Sequence, residues 1–441
     1  MRPFSPSPSS PTPPSDVPAS GTTAPSGLRR DADFRRLWAG QTASQLGEHT
    51  TLVVLPIFAV LTLDAGAGQL GVLRAVGQAP ILLLSLLAGA WVDRWRARTV
   101  MVLTDAGRAV VLGAAVAAGL LGLLGLPALF VVAFTVGALS VLFDVAYQAS
   151  LVRRVRRDQL VRGNSALEGS RSAAQIGGPA LGGALVSLLS APVAVAAGAL
   201  FFAVSFVSLS RIRRPEAVPG RVGPVAERAS PVRRRIREGI RFVAENAWLR
   251  AVCLASAAFQ LSFAATMTAY LVFLPHELRL TGVAVGLALA ATGPGALLGS
   301  VLAARLPGRF GHGVVLVSAA VLGNGALLCV PALRGSSTAT VLALVAVNFV
   351  FGTFSQLVNV TVMSVRQAVT PDGMQGRAAA TITFVGMGFT PLGSLLGGLL
   401  AEGWGPRTGL LVSAAGMMLS PVLMAVSPLA RLGRVLPAPR A

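Results

Sequence analysis

Twelve apolar runs of about the length of a membrane-spanning helix follow one another along this chain, divided by short polar breaks. The first six fall at 37–62, 70–92, 99–122, 126–148, 165–189 and 192–210, and six more at 251–274, 282–304, 313–333, 339–364, 378–401 and 408–428. About 20 mostly apolar residues are needed to cross about 30 Å of hydrocarbon, so each run is long enough to span. A water-soluble surface cannot carry this composition: 54% of the 441 residues are apolar and 12% charged, with a mean hydropathy of +0.70. The expected fold class is all-α integral membrane, twelve transmembrane helices in two six-helix bundles, with no large soluble domain.

All 37 basic residues are Arg. A phosphate-cradling loop of the kind found in nucleotide-driven pumps needs a Lys, so direct use of ATP is disfavoured. The net charge of +20 has a membrane explanation and does not call for nucleic acid, because cytoplasmic loops are enriched in basic residues. With the N-terminus inside, 31 Arg fall in cytoplasmic segments, four at outer ends (Arg74, Arg279, Arg334, Arg407) and two within spans (Arg108, Arg171). That asymmetry predicts a multi-pass protein of the cytoplasmic membrane with both termini cytoplasmic.

The first 27 residues hold 8 Pro and 7 Ser and no apolar core of signal-peptide length, so 1–33 is expected to be a disordered cytoplasmic tail. Residues 34–210 form the first bundle, 251–428 the second, and 429–441 a second cytoplasmic tail. Between the bundles, 211–250 carries 11 Arg. Its first part is broken by Pro and Gly. Its second part sets Val232, Ile236, Ile240, Val243 and Ala247 at helical spacing, which predicts a basic amphipathic helix on the anionic inner leaflet. Cys253 and Cys329 lie in apolar runs and offer neither a disulfide framework nor zinc spacing. No cofactor, metal or enzymatic activity is expected, and a monomer is.

Between spans two and three stand Gly89, Asp93, Arg94, Arg96 and Arg98. A glycine near a helix end permits close approach of a neighbour, and an acid among cations can accept a charge-assisted hydrogen bond or face a helix N-terminus. Positive-inside anchoring explains the arginines but not the aspartate. The arrangement resembles the loop pattern G-x-x-x-D-R-x-G-x-R-R of the major facilitator superfamily, matched at Gly89, Asp93, Arg94 and Arg98, with Arg96 where the family has its second glycine. The resemblance implies that Asp93 and Arg94 lock a cytoplasmic gate. At the equivalent place in the second half, Gly299, Ala303, Arg305 and Arg309 recur without the acid.

Span five contains Gly178, Pro179, Gly182 and Gly183, and span eleven holds a looser echo in Gly386, Gly388, Pro391, Gly393, Gly397 and Gly398. Proline removes a backbone donor and small residues open a flat packing surface. Ordinary helix packing is one explanation. Gly/Pro-interrupted spans at matching points of two halves are also the mark of transporters that rock about a central site. The G-P-x-x-G-G string resembles the fifth-helix pattern of drug and proton antiporters. With Phe34 to Gln41, Asp105-x-x-Arg108 and Asn164-Ser-Ala-Leu, the chain looks like the enterobactin-exporter and macrolide-efflux branch over about 33–428.

An ionisable group at the centre of a span costs at least about 2.5–3.5 kcal/mol, so each needs a partner, a cavity or a function. Glu48, about 16 Å into span one, is a candidate for proton or substrate binding or else a structural acid; His49 is turned about 100° from it. Glu168 and Arg171, three residues apart, can neutralise each other on one face. Asp105, Arg108 and Asp144 are placed near cytoplasmic ends, where snorkelling to water makes them anchors or gate groups. Gln41, Gln45, Gln260, Asn348, Gln356 and Asn359 fall in spans one, seven and ten, which line the cavity in the superfamily the chain resembles. Phe259, Phe263, Phe349, Phe351 and Phe354 on two of those spans suit a bulky amphipathic ligand.

The function expected is proton-coupled efflux of a hydrophobic or amphipathic small molecule, such as a drug, antibiotic or siderophore, by alternating access. A nutrient importer of the same fold, or a sensor or scaffold that does not transport, are the rival readings.

Overall fold

A computed structural model describes residues 32–92, 96–154, 160–212, 232–371 and 374–435. Hydrocarbon offers no hydrogen bonds, so a spanning backbone must satisfy its own polar groups, and every long element here is a helix. The first half consists of α1 (Ala32–Thr62), α2 (Ala67–Val92), α3 (Ala97–Leu120), α4 (Leu126–Arg154), α5 (Leu160–Leu188) and α6 (Ala191–Ser210). A short helix α7 (Val232–Glu245) precedes the second half. That half comprises α8 (Ala247–His276), α9 (Gly282–Ala290), α10 (Thr292–Ala303), α11 (Leu306–Phe310), α12 (His312–Leu327), α13 (Thr338–Val369), α14 (Gln375–Gly388), α15 (Thr390–Trp404), α16 (Pro406–Met417) and α17 (Leu419–Val426).

Twelve spans result, because α9 with α10, α14 with α15, and α16 with α17 each form one broken span. Among the described residues, eleven stretches are long and apolar enough to cross a membrane, and the 29-residue α5 completes the set. The break between α14 and α15 falls at Phe389, two residues before Pro391, where the ring cannot accept the preceding helical turn. Pro179, by contrast, sits inside an unbroken α5. Polar side chains close several helix starts: Asn246 accepts from the backbone N–H groups of Trp248 and Leu249, and Ser337 from that of Thr340.

Packing repeats between the halves. In the first, α1 lies against α5 and α6, α2 against α4, and α3 against α4 and α6; in the second, α8 lies against α15 and α16, α10 against α13, and α12 against α13. The halves join where α2 meets α15 and α5 meets α9. Following neighbours through α1, α5, α9–α10, α13, α8, α15, α2 and α4 returns to α1, so eight spans form a closed ring. The face carrying the start of α1 is termed proximal and the opposite face distal. Ile57, Val60 and Leu61 of α1 share a small apolar pocket with Leu271, Pro275 and Val285 at the distal face, where the two halves touch. On the outer surface, Val110, Leu120 and Leu188 are among many exposed large apolar side chains, a surface suited to lipid.

Helix α7 packs on α8 and α14. Val243 is buried and Phe242 packs beside it against Leu249 and Val252, while Arg237 and Arg241 are exposed. Ile240, on the apolar stripe by its spacing, is instead exposed.

Candidate functional site

The centre of the first half is built around one arginine. Arg108 on α3 is completely buried, with 0% exposure, and it pairs with Asp105 one turn earlier on the same helix. Its Nη2 donates to Ser44 Oγ at 3.0 Å, and its Nη1 donates to Ser140 Oγ at 3.1 Å and to Glu48 Oε2 at 3.5 Å. The guanidinium lies between the rings of Phe143 and Phe202, 4.6 and 4.2 Å from their centroids. Asp105 in turn accepts from Ser44 at 3.2 Å and from Ser205 at 2.5 Å. Four helices, α1, α3, α4 and α6, thus supply a cage in which a buried charge finds a counter-charge, hydroxyls and aromatic faces.

This corrects the assignment of Asp105 and Arg108 as snorkelling anchors: both are sealed from solvent. The pair stands roughly 12–16 Å along α3, deep enough that neither side chain reaches water.

Glu48 links this cage to open space. Its side chain is 23% exposed although it sits in mid-helix, and Asp144 of α4 and Arg171 of α5 are exposed while lying within electrostatic reach of it. Five charged groups therefore form one cluster among the described residues: Glu48, Asp105 and Asp144 against Arg108 and Arg171. Fully ionised, it holds one more carboxylate than guanidinium, an imbalance that one bound proton removes. His49 points away from Glu48, with its Cβ against Gly178 of α5, as the 100° offset between successive residues requires. The side chain of Glu168, and so its pairing with Arg171, lies outside the described residues.

Among the described residues, the second half brings rings and amides to the central space. Phe259, Phe263 and Phe351 stack at 5.4 and 5.6 Å between successive centroids, joining α8 to α13. Asn348 is a cross-link: its Nδ2 donates to Tyr270 Oη at 2.8 Å and to Leu344 O at 2.9 Å, and the residue is buried. Gln41 and Gln45 are buried within the first half. Gln260 and Gln356 are half-buried and Asn359 is exposed. No group of three metal-ligating residues occurs among the described residues.

The fifth-helix glycines are contact points. A Cβ on Gly178 or Gly182 would press on His49, Thr50 or Val54 of α1, and one on Gly183 would stand 2.8 Å from the Cα of Gly286 on α9. On the other side of the ring, a Cβ on Gly71 of α2 would stand 2.9 Å from the Cα of Gly398 on α15. All four seam glycines lie within about two turns of the distal end of their helix. In the loop motif, Gly89 belongs to the end of α2, while Asp93 and Arg94 lie outside the described residues. Arg98 donates through Nε to Leu209 O at 3.2 Å and through Nη2 to Ser210 O at 2.6 Å, meeting carbonyls at the end of α6.

Sequence reasoning groups Asp144 with the anchors and passes over the centrality of Arg108. The available signal is Asp105-x-x-Arg108 well inside an apolar helix, with Ser44 and Glu48 one turn apart on another.

Residues 21–437 match the family described as transmembrane secretion effector. The multidrug efflux pump Tap of Mycobacterium tuberculosis is 27% identical over 382 residues, covering 81% of this chain and 84% of that one. The MFS-type transporter YfiS of Bacillus subtilis is 25% identical over 396 residues, covering 87% and 90%. Among solved structures, a bacterial homologue of the iron transporter ferroportin in an inward-facing state superposes with a TM-score of 0.72 at 19% identity, covering 90% of this chain and 98% of that one. The nucleoside transporter NupG does so with 0.69 at 13%, covering 89% and 98%. These structural likenesses concern the fold.

Proposed function

Because the chain belongs to the transmembrane secretion effector family, and so to the transporters of the major facilitator superfamily, we propose that it is a proton-coupled exporter of a hydrophobic or amphipathic small molecule. The observation that carries this reading is the cluster of Glu48, Asp105, Asp144, Arg108 and Arg171, whose odd carboxylate can be balanced by a proton that open space can deliver. The stack of Phe259, Phe263 and Phe351 supplies an uncharged wall for an apolar body. Tap, described as a multidrug efflux pump, supports the outward direction.

The protein sits in the cytoplasmic membrane as a monomer with both termini inside, so that the proximal face is cytoplasmic. Residues 34–210 and 251–428 are the two rocking bodies, and Asp93 and Arg94 gate the proximal side. With the distal seam shut by Gly71 against Gly398 and Gly183 against Gly286, the central space opens to the cytoplasm, where an exporter loads. Glu48 and Asp144 release a proton in that state and take one from outside when the distal seam parts. Gln260, Gln356 and Asn359 offer hydrogen bonds to the substrate.

The test uses everted vesicles with an imposed pH gradient, acid inside, and an uncharged fluorescent amphipathic probe such as Nile red. Accumulation that collapses with the gradient is expected. Gradient-driven exit from the vesicles would identify an importer, and indifference to the gradient would reject proton coupling.

A further inference from the structure

Arg74 has no partner among the described residues. Arg74 is an outer-end residue by its position in the sequence, but it stands seven residues inside α2, about 10 Å from the helix start. It makes no hydrogen bond or ion pair with any described residue, its Nε is buried without a partner, and no charged group is within electrostatic reach of it. The contrast with Arg108, caged by two carboxylates, two hydroxyls and two rings, is complete. An ionisable group in a span costs at least about 2.5–3.5 kcal/mol unless a partner, a cavity or a ligand answers it; Arg74 is half-buried, its Nε–H is sealed without a partner, and its Nη donors are left open to a ligand.

Its direction follows from its neighbours. On α2, Gly71, Gln78 and Leu82 contact α15 and the end of α14, at Gly398, Ser394 and Gly388, while Gly77 and Pro80 contact Gly137 of α4. At about 100° per residue, Arg74 falls in the narrower arc between those two directions, which is the side facing the inside of the eight-span ring. Leu83, 59% exposed, falls in the wider arc facing outward. Depth follows in the same way. Gly71 lies against Ser394 and Gly398, and Gln78 reaches Ser394, while the adjoining Gly397 and Gly393 of α15 rest on Ala265 and on Leu261 and Ala264 of α8. Arg74 is thus level with the stretch 261–265 of α8, which holds Phe263, the middle ring of the aromatic stack.

We propose that Arg74 and Phe263 together form a binding site for an amphipathic anion, in which the guanidinium pairs with a carboxylate or sulfonate head and the rings carry an aromatic body. The site rests on the reading of the chain as an exporter and names the charge of a substrate class it takes. It is separate from the proton cluster, because Arg74 is not among the charges acting on Glu48. Its roof is the Gly71–Gly398 contact, one turn further toward the distal face, so the anion occupies the closed end of the central space. A bidentate guanidinium grip on an oxyacid group also explains why an arginine stands there, since its planar fork matches that geometry.

Three probes with one ring system and different heads test this: 2-naphthoate, 2-naphthylmethanol and 2-naphthylmethylammonium, titrated by calorimetry into the full chain in phosphatidylcholine nanodiscs against empty discs. Naphthoate is expected to bind at least about tenfold more tightly than the other two, and Arg74→Gln to remove that preference, with Arg74→Lys restoring part of it. Phe263→Ala is expected to weaken all three. Arg74→Gln should fold at least as well as the wild type, because it deletes an unpaired charge. Equal affinity for all three heads, no saturable naphthoate binding, or a preference that survives Arg74→Gln would overturn the assignment. Repeating the titration with phosphatidylglycerol in the disc distinguishes sources: unchanged naphthoate affinity fits a dissolved substrate, and competition would give the site to a lipid headgroup and reject the substrate role. Transport is scored separately in wild-type everted vesicles. Failure to move any probe would sink the exporter reading, whereas transport without charge preference would sink only the role of Arg74.

Discussion

Gly183 of α5 and Gly286 of α9 meet backbone to backbone across the seam between the halves, so that a Cβ on Gly183 would stand 2.8 Å from the Gly286 Cα. A larger residue there must push the distal ends apart. Overpacking of this kind costs about 1–3 kcal/mol, which shifts a two-state balance roughly 5- to 150-fold. Gly183→Val is therefore expected to favour the distal-open state. The readout is the labelling rate of Val60→Cys, at the distal pocket, by a water-soluble thiol reagent in a background lacking Cys253 and Cys329. Gly177→Val is the control, since a Cβ there meets nothing within 4 Å. Equal labelling in both variants would refute the seam as the distal gate.

Arg108 and Asp105 support each other in a space closed to water, and removing one partner strands the other. The expected cost of Arg108→Gln or Asp105→Asn alone is about 3–5 kcal/mol, seen as a lower thermal midpoint and a smaller monodisperse fraction in detergent. The double variant is expected to recover part of that loss, because neither member of the sealed pair is left facing a missing partner. If the two losses simply add, the pair does not act as a unit.

The spans and their grouping are legible because the bilayer reduces the problem to length and hydropathy. The predicted 282–304 and 378–401 even contain the breaks before Pro294 and Pro391, although pattern alone draws attention only to the proline of span eleven. What one-dimensional pattern does not carry is rotation about each helix axis. Asn348 is a plausible substrate ligand by its span, yet its amide is committed to Tyr270 and Leu344. Arg108 resembles an anchor when its distance from the loop is counted without Glu48, Ser44 and Ser140, which come from two other helices. Arg74 looks peripheral for the same reason.

The Arg asymmetry predicts that both termini and the loop before α7 are cytoplasmic. Alkaline phosphatase and fluorescent-protein fusions after Gly220 and after Leu436 are expected to be phosphatase-inactive and fluorescent in intact cells. Phosphatase activity at either position would break the twelve-span orientation and reverse the assignment of the proximal face.

The proton cluster makes the sharpest demand. Glu48 is the carboxylate that touches both the cage, through Arg108 at 3.5 Å, and open space, while Asp144 shares its electrostatic surroundings from α4. If one proton balances the cluster, then neutralising either acid mimics the proton-loaded form permanently. Glu48→Gln and Asp144→Asn are each expected to abolish export driven by a pH gradient, yet to preserve substrate binding and gradient-free exchange. Arg171→Gln changes the balance in the other direction, leaving two carboxylates in excess, and is expected to move the pH at which export is half-maximal toward alkaline values, because protons are then held more tightly. A structural Glu48 predicts another pattern: its loss would lower thermal stability and exchange together, with no difference between gradient-driven and gradient-free modes. Export measured in proteoliposomes at equal protein content separates the two. Full pH-driven export by Glu48→Gln would move coupling elsewhere, and Glu168 is then the next carboxylate to replace.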